Sequence, residues 1–351
     1  MRLLLLASIV ALVVGGGVSA VVAGPGAALP EARAPARSAA VRIAAVGDIA
    51  MVASEDGGAS YFAGVRSSLR GGVVLGNLEG TLTERGLSKC GAGSQSCFAF
   101  RAPPSYGRLL KRAGFNVLNL ANNHGFDYGP VGQRDTVATL DRLGLRHTGR
   151  PGEFAMLDAG GVRVAVVGFA PYPWAQSLTD LRAARALVRR ADASADLVVV
   201  TMHAGAEGRD ANRVRPGSEY FLGENRGDVM AFAHAVVDAG ADLVVGHGPH
   251  VLRGMEWYRG RLVAYSLGNF LGCRTLSTSG ILALSGILRV TLRGDGGWVG
   301  GDLVPLRLAG CGVPERDPVE ATHGFVRELS RKDFGRRGVR VSFTGTLLPP
   351  G

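Results

Sequence analysis

LVVGHGPHVLRGMEWYRGRLVAYSLGNF, residues 243–270, is the stretch from which the rest of the chain can be read. An apolar run, Leu243-Val244-Val245, stops at Gly246, and His247 and His250 follow at once. A second run, Leu262-Val263-Ala264-Tyr265, ends on Ser266-Leu267-Gly268-Asn269. Each has the length and side chains of a buried strand and delivers ligand-capable residues at its C-terminal end. Open α/β sheets place their sites there. Gly246 permits close approach or an unusual turn. Pro249 is suited to starting a short helix that sets the two imidazoles on neighbouring positions. Asn269 can orient one of them by hydrogen bonding from behind. Against this stands the plainer reading of each as a satisfied polar turn.

The same grammar recurs upstream. Val41–Val46 stops at Gly47-Asp48, and Val73–Leu75 leads through Gly76 and Asn77 to Glu79. Val117–Leu120 runs into Ala121-Asn122-Asn123-His124, and Leu197–Thr201 into Met202-His203, with Glu207 four residues on. Singly these are weak signals. Asp48 suits a helix N-cap, Glu79 a solvated loop, the asparagines a turn, and His203 a structural role. Jointly they are stronger, because a parallel sheet brings such ends together and a buried carboxylate is costly unless paired or metal-bound. Mixed nitrogen and oxygen ligands suit one or two divalent ions of the manganese, iron or zinc kind. A two-ion site clamps a phosphoester and activates a water. His124, or another imidazole that is not a ligand, can protonate the leaving oxygen.

Between these strands, periodicity and glycine stops predict helices over Tyr61–Leu69, Ser105–Ala113, Gly132–Leu143, Leu178–Ala191, Val229–Ala239 and Thr322–Arg331. Hairpins are expected at Phe154–Asp158/Val162–Phe169 and at Gly286–Arg293/Trp298–Leu308, with a closing strand near Val339–Phe343. Strands alternating with helices give a layered α/β fold. His147 and His323 read as surface positions, His234 as helix packing or cap. Pro171-Tyr172-Pro173-Trp174 reads as core-edge packing, with a pocket wall as the alternative.

At 351 residues and 46% apolar, the chain can bury a sizeable core, which excludes global disorder. The net charge of +10 is almost all arginine, since Lys stands only at 89, 111 and 332. The arginines are scattered, without a basic run interleaved with aromatics, so no specific nucleic-acid partner is expected; an anionic polymer or lipid remains compatible. Residues 1–23 have one arginine, an apolar run and Val18-Ser19-Ala20, a small-x-small pattern: a secretory signal or a retained anchor. Either way the body is expected to be exported. Residues 24–40 read as a Pro/Ala-rich linker, 41–310 as the main domain and 311–351 as a C-terminal extension. An even cysteine count in an exported chain favours disulfides. Of three pairings, Cys90–Cys97 with Cys273–Cys311 is favoured on proximity alone.

Taken in order, AVGDIAM, LGNLEGTLT, LNLANNHGFDYG, HAGAE and GHGPHVLRGMEWYRGRLVAYSLGNF resemble the CapA family, the capsule or poly-γ-glutamate synthesis proteins also called PgsA, from about Val41 to about Leu308. The resemblance implies an exported, membrane-associated protein with a calcineurin-like metallophosphatase fold, a layered β-sandwich flanked by helices. A C-terminal antiparallel hairpin would follow. It implies Asp48, Glu79, Asn123, His203, His247 and His250 as metal ligands and His124 as the catalytic histidine. Asn77, Asn122, Glu207 and Asn269 would support them. The broader phosphoesterase pattern has a histidine where Ala50 stands, an aspartate where Asn77 stands, and one residue rather than two between its last histidines. Three functions follow as expectations. The first is a metal-dependent phosphoesterase of surface-polymer synthesis, acting on a phosphoester, with a membrane-embedded synthesis complex as candidate partner. The second is a non-enzymatic accessory protein that binds an anionic polymer. The third is a secreted nucleotidase or phosphodiesterase.

Overall fold

Two sheets carry the chain's chemistry. The computed structural model describes residues 39–91 and 97–350. The expected signal and nearly all of the expected linker lie outside them. The strand order in the first sheet is Val313–Arg316, Trp298–Ala309, Leu284–Arg293, Ala40–Ile49, Val73–Leu78, Val117–Asn119, Arg146–Thr148, and Asn269–Leu271 pairs with Ala40–Ile49. In the second it is Met255–Tyr258, Arg261–Ala264, Leu243–His247, Leu197–His203, Val162–Phe169, Ala155–Ala159. The two sheets pack face to face: Ile43, Ala45 and Val73 of the first share one core with Val164, Val199 and Val245 of the second.

Successive side chains of a strand point to opposite faces, and here both faces are buried. Ala44 and Val74 turn outward to join Leu110 and Ala113 of helix α1, Gly107–Ala113. On the far side of the second sheet, Val198 and Val244 join Val188 and Phe232. These come from α3, Leu181–Asp192, and α4, Val229–Val237. Asp180 and Asp228 cap those helices, each accepting from the backbone N–H three residues on at 2.9 Å. Between α1 and α3 in sequence lies α2, Gly129–Arg142; α5, Ala321–Phe334, adds Val326 to the inter-sheet core. The result is the helix-flanked, layered β-sandwich that the resemblance implied, and the antiparallel hairpin is present at Leu284–Arg293/Trp298–Ala309.

Five expectations need correction. The strand tips come from two facing sheets, not one. No α-helix spans Tyr61–Leu69, only turns and one 3-10 turn at Arg66–Ser68. Tyr61, Phe62, Val65 and Leu69 are buried with near-helical spacing, but glycines at 57, 58, 64, 71 and 72 weigh against a helix. Pro249 starts no helix; His250 instead sits in the left-handed region at φ 60°. His323 is buried at 2% exposure, its Nδ1 and Nε2 bonding the carbonyls of Phe343 and Leu303 at 3.0 and 2.8 Å. The closing strand is also shorter, Arg340–Val341, paired with Leu347–Leu348.

Candidate metal centre

Register brings the polar tips together. Asp48 is level with Asn77 on one side and Asn269 on the other, Asn77 is level with Asn119, and in the second sheet His247 is level with His203. Two glycines let the chains approach. A Cβ at Gly47 would lie 1.9 Å from the Gly268 carbonyl oxygen, and one at Gly246 2.1 Å from that of Tyr265.

Asp48 is fully buried. Its Oδ1 accepts from Asn77 Nδ2 at 2.7 Å and its Oδ2 from the Gly248 N–H at 3.2 Å. Asn77 is itself fixed, because its Oδ1 accepts from Asn119 and Asn122 at 2.9 and 3.1 Å. That leaves its amide facing Asp48 and, at 3.1 Å, His203 Nδ1. His203 Nε2 then points towards Glu79, 3.7 Å away. His250 bonds Asn269 Oδ1 through Nδ1 at 2.9 Å, which turns its Nε2 to Glu79 and Glu207, each at 3.6 Å. Asp48, Glu79 and His250 offer ligand atoms that all lie within 4.8 Å of one another.

The fit to a metal can be tested on the atoms. Both Glu79 carboxylate oxygens, Asn123 Oδ1, His203 Nε2 and both ring nitrogens of His247 are buried without a hydrogen-bond partner among the described residues. Buried polar groups are normally paired, and leaving this many unpaired at one place is costly. All four residues belong to the expected ligand set, and their donor types suit a divalent ion of the manganese, iron or zinc kind.

The electrostatics of the metal-free cluster divide it. Burial pushes the Glu79 carboxyl well above the usual range, with the Asp48 and Glu207 charges adding to it against His250. Burial would raise Asp48 too, but hydrogen bonding and charge from His203 and His250 hold it well below. Burial lowers His203 and His247 to about 4, so both present neutral imidazoles, the form a metal binds. Against burial, the carboxylates of Glu79, Asp48 and Glu207 lift His250 to about 10.

His124 stands beside this cluster. The Asn122 side chain accepts its backbone N–H at 3.0 Å, Phe100 stacks on its ring at 4.2 Å, and Asp127 Oδ2 takes Nδ1 at 2.7 Å. Asp127 also accepts the Phe100 N–H and pairs with Lys89 at 2.6 Å. An imidazole so held presents Nε2 outward, in the geometry of a base or acid oriented by a third group.

Asn123 and Glu207 meet at the rim, with Asn123 Nδ2 3.5 Å from Glu207 Oε1. Glu207 also pairs with Arg226. Burial works against ionisation of Glu207, but His250 and Arg226 bring its pKa below the usual value. Disulfides join Cys90 to Cys97 and Cys273 to Cys311, with Cα separations of 5.5 and 4.5 Å. Sequence reasoning missed Asp127, Lys89, Asn119 and Arg226. Asp127 alone carried a local signal, three residues after His124. The others depend on long-range packing.

The bacterial capsule synthesis protein PGA_cap family matches residues 42–273. The capsule biosynthesis protein CapA of Bacillus anthracis is 36% identical over 184 residues, 47% of this chain and 42% of that protein. The PGA biosynthesis protein CapA of Bacillus subtilis is 33% identical over 183 residues, 47% and 44%. The chain thus spans less than half the length of these two relatives. A probable polyglutamine synthesis accessory protein of Mycobacterium tuberculosis is 28% identical over 304 residues, 77% of this chain and 74% of that one. A solved Mycoplasma pneumoniae phosphatase aligns over 81% of this chain and 97% of its own, at 13% identity and TM-score 0.48. That likeness adds nothing to the fold read from the sheets themselves. The motif order and the match over more than half its length agree: the chain belongs to the bacterial capsule synthesis protein PGA_cap family.

Proposed function

We propose that this chain is an exported, metal-dependent phosphoesterase of surface-polymer biosynthesis, of the capsule or poly-γ-glutamate type. One observation carries the reading: the buried, unpartnered ligand atoms of Glu79, Asn123, His203 and His247. With Asp48 and His250 they would hold one or two divalent ions, manganese, iron or zinc. Such ions supply Lewis acidity to a phosphoryl oxygen and lower the pKa of a bound water. His124, held by Asp127, is the proton donor to the leaving oxygen. The leader-like residues 1–23 and the two disulfides favour an oxidising, exported setting, at the outer face of the cytoplasmic membrane or beyond it. A membrane-embedded polymer-synthesis complex would be its partner.

The test is hydrolysis by the metal-loaded protein of phosphomonoester, phosphodiester and nucleotide model substrates. Turnover that falls in His124→Ala while metal content stays supports the reading. No turnover on any of them defeats it.

A second reading, a non-enzymatic accessory protein that binds an anionic polymer, is favoured by a different surface. Arg327, Arg331, Arg336, Arg337 and Arg340 line a cavity of about 670 Å³. Poly-γ-glutamate binding that survives loss of both His247 and His250, without hydrolysis, would support that reading over the first.

A further inference from the structure

A cleft of about 320 Å³ adjoins the ligand cluster, and Lys89, Asn123, His124, Glu207 and Arg226 are among its lining residues. Arg226 is 1% exposed. Glu207 takes its Nη1, and the guanidinium lies 5.8 Å from the Tyr172 ring centroid. Its Nε and Nη2 have no hydrogen-bond partner among the described residues. Glu224, in the same wall, accepts the Tyr172 hydroxyl at 3.2 Å instead. A permanently charged guanidinium does not escape burial by losing its proton, so two buried donor nitrogens without acceptors are a standing penalty. An oxyanion in the cleft relieves it, because the guanidinium fork matches carboxylate and phosphate geometry.

Lys89 is placed to assist. Its ammonium donates to the Asn123 carbonyl at 3.1 Å and pairs with Asp127 at 2.6 Å. An ammonium has three donors, and its side chain is 36% exposed on the cleft. The position relative to the reacting centre is also defined. Glu207 Oε1 holds Arg226, and Glu207 Oε2 lies 3.6 Å from His250 Nε2. One carboxylate therefore separates the guanidinium, with its two unpartnered nitrogens, from the ligand cluster.

We infer that Arg226 and Lys89 form an oxyanion subsite that takes a second anionic group of the substrate, a carboxylate or a phosphate, beside the phosphoester. This rests on the phosphoesterase reading only in taking the neighbouring cluster to hold the reacting group. The substrates so selected are acidic phosphoesters, in preference to phosphates of neutral alcohols.

The test is calorimetric titration of inorganic phosphate and, separately, glutarate into the chelator-treated full chain. Binding in the metal-free protein does not depend on turnover, so its outcome stands apart from the fate of the phosphoesterase reading. At least one of the two anions should bind. Arg226→Lys and Lys89→Gln should each weaken binding about tenfold or more, the scale of one charge-assisted hydrogen bond. Glutarate binding identifies a carboxylate subsite and phosphate binding a phosphate subsite. No binding of either anion, or equal binding by the variants, overturns the inference. Thermal unfolding shows whether Arg226→Lys folds; if it does not, Lys89→Gln decides alone.

Discussion

At Asn77 one amide ties four neighbours together. Its oxygen is tied to Asn119 and Asn122, so its nitrogen is left to Asp48 and His203. An aspartate here would add a second buried negative charge 2.7 Å from Asp48, whereas the amide donates to it. The departure from the broader phosphoesterase pattern therefore orients Asp48 and His203. Asp127 does the same for His124. Asp127→Asn leaves the ligand atoms untouched but removes the charge behind the imidazole, so turnover should fall roughly 10²–10⁴-fold with metal content unchanged. Elemental analysis beside steady-state kinetics checks this, and loss of metal together with turnover would contradict it. Ligand-type residues at strand tips were legible in the sequence because each follows an apolar run, in most cases with a glycine or asparagine at its end. Lys89 and Arg226 were not, since nothing local distinguishes them from other basic residues; their contacts, 38 and 19 residues away in sequence, give them their roles.

A second residue-scale prediction concerns Asp242, which burial raises to about 6 despite its bond from the Val198 N–H and the nearby Arg261. The folded pKa lies above the unfolded one, so the folded state keeps a proton that the unfolded state has lost. Stability therefore falls as pH rises from the ordinary carboxylate range through about 6. Asp242→Asn removes this dependence. Its unfolding free energy relative to the parent should shift in the variant's favour across that window, by on the order of 1–3 kcal/mol. A pH-independent difference would contradict the assignment.

At the scale of elements, strands were read more securely than helices. The runs Leu197–His203 and Leu243–His247 are buried on both faces and appear as continuous aliphatic stretches. The segment 61–69 has a buried spacing that a helix shares with a chain of turns, and its flanking glycines decided the outcome. The short strands Arg146–Thr148 and Met255–Tyr258 owe their state to partners across the sheet, Val117–Asn119 and Arg261–Ala264. The strand ends are where packing is tightest. A Cβ at Gly246 has no room beside the Tyr265 carbonyl, so the strand would have to move. Gly246→Ala should destabilise by about 1–3 kcal/mol and lower metal affinity with it, because His247 is the next residue. Denaturant unfolding and metal titration read the two effects. An unchanged midpoint would show that the strands have slack there.

At the scale of the molecule, the site is a junction. The first sheet supplies Asp48, Asn77 and Asn269, and the second His203 and His247. His124, Glu207 and His250 come from the loops that follow strand ends. The family resemblance made the sandwich legible; composition and periodicity alone gave only a layered α/β chain. What no pattern disclosed is how the two sheets meet, because that depends on the face each strand turns inward. A metal binding across the junction should stabilise the whole fold by linkage, about 3–4 kcal/mol when the ion is well above its dissociation constant. A chelator should then lower the unfolding midpoint of the parent and leave that of His247→Ala nearly unmoved. Equal shifts in both would mean that the ion, if present, is held elsewhere.

The most direct test of the central claim is the metal content of the full chain purified anaerobically, beside His247→Ala. The unpaired Glu79, His203 and His247 atoms predict one or two equivalents of manganese, iron or zinc per chain in the parent and a clear loss in the variant. A parent that holds no stoichiometric divalent ion, and takes up none when supplied, would contradict the account.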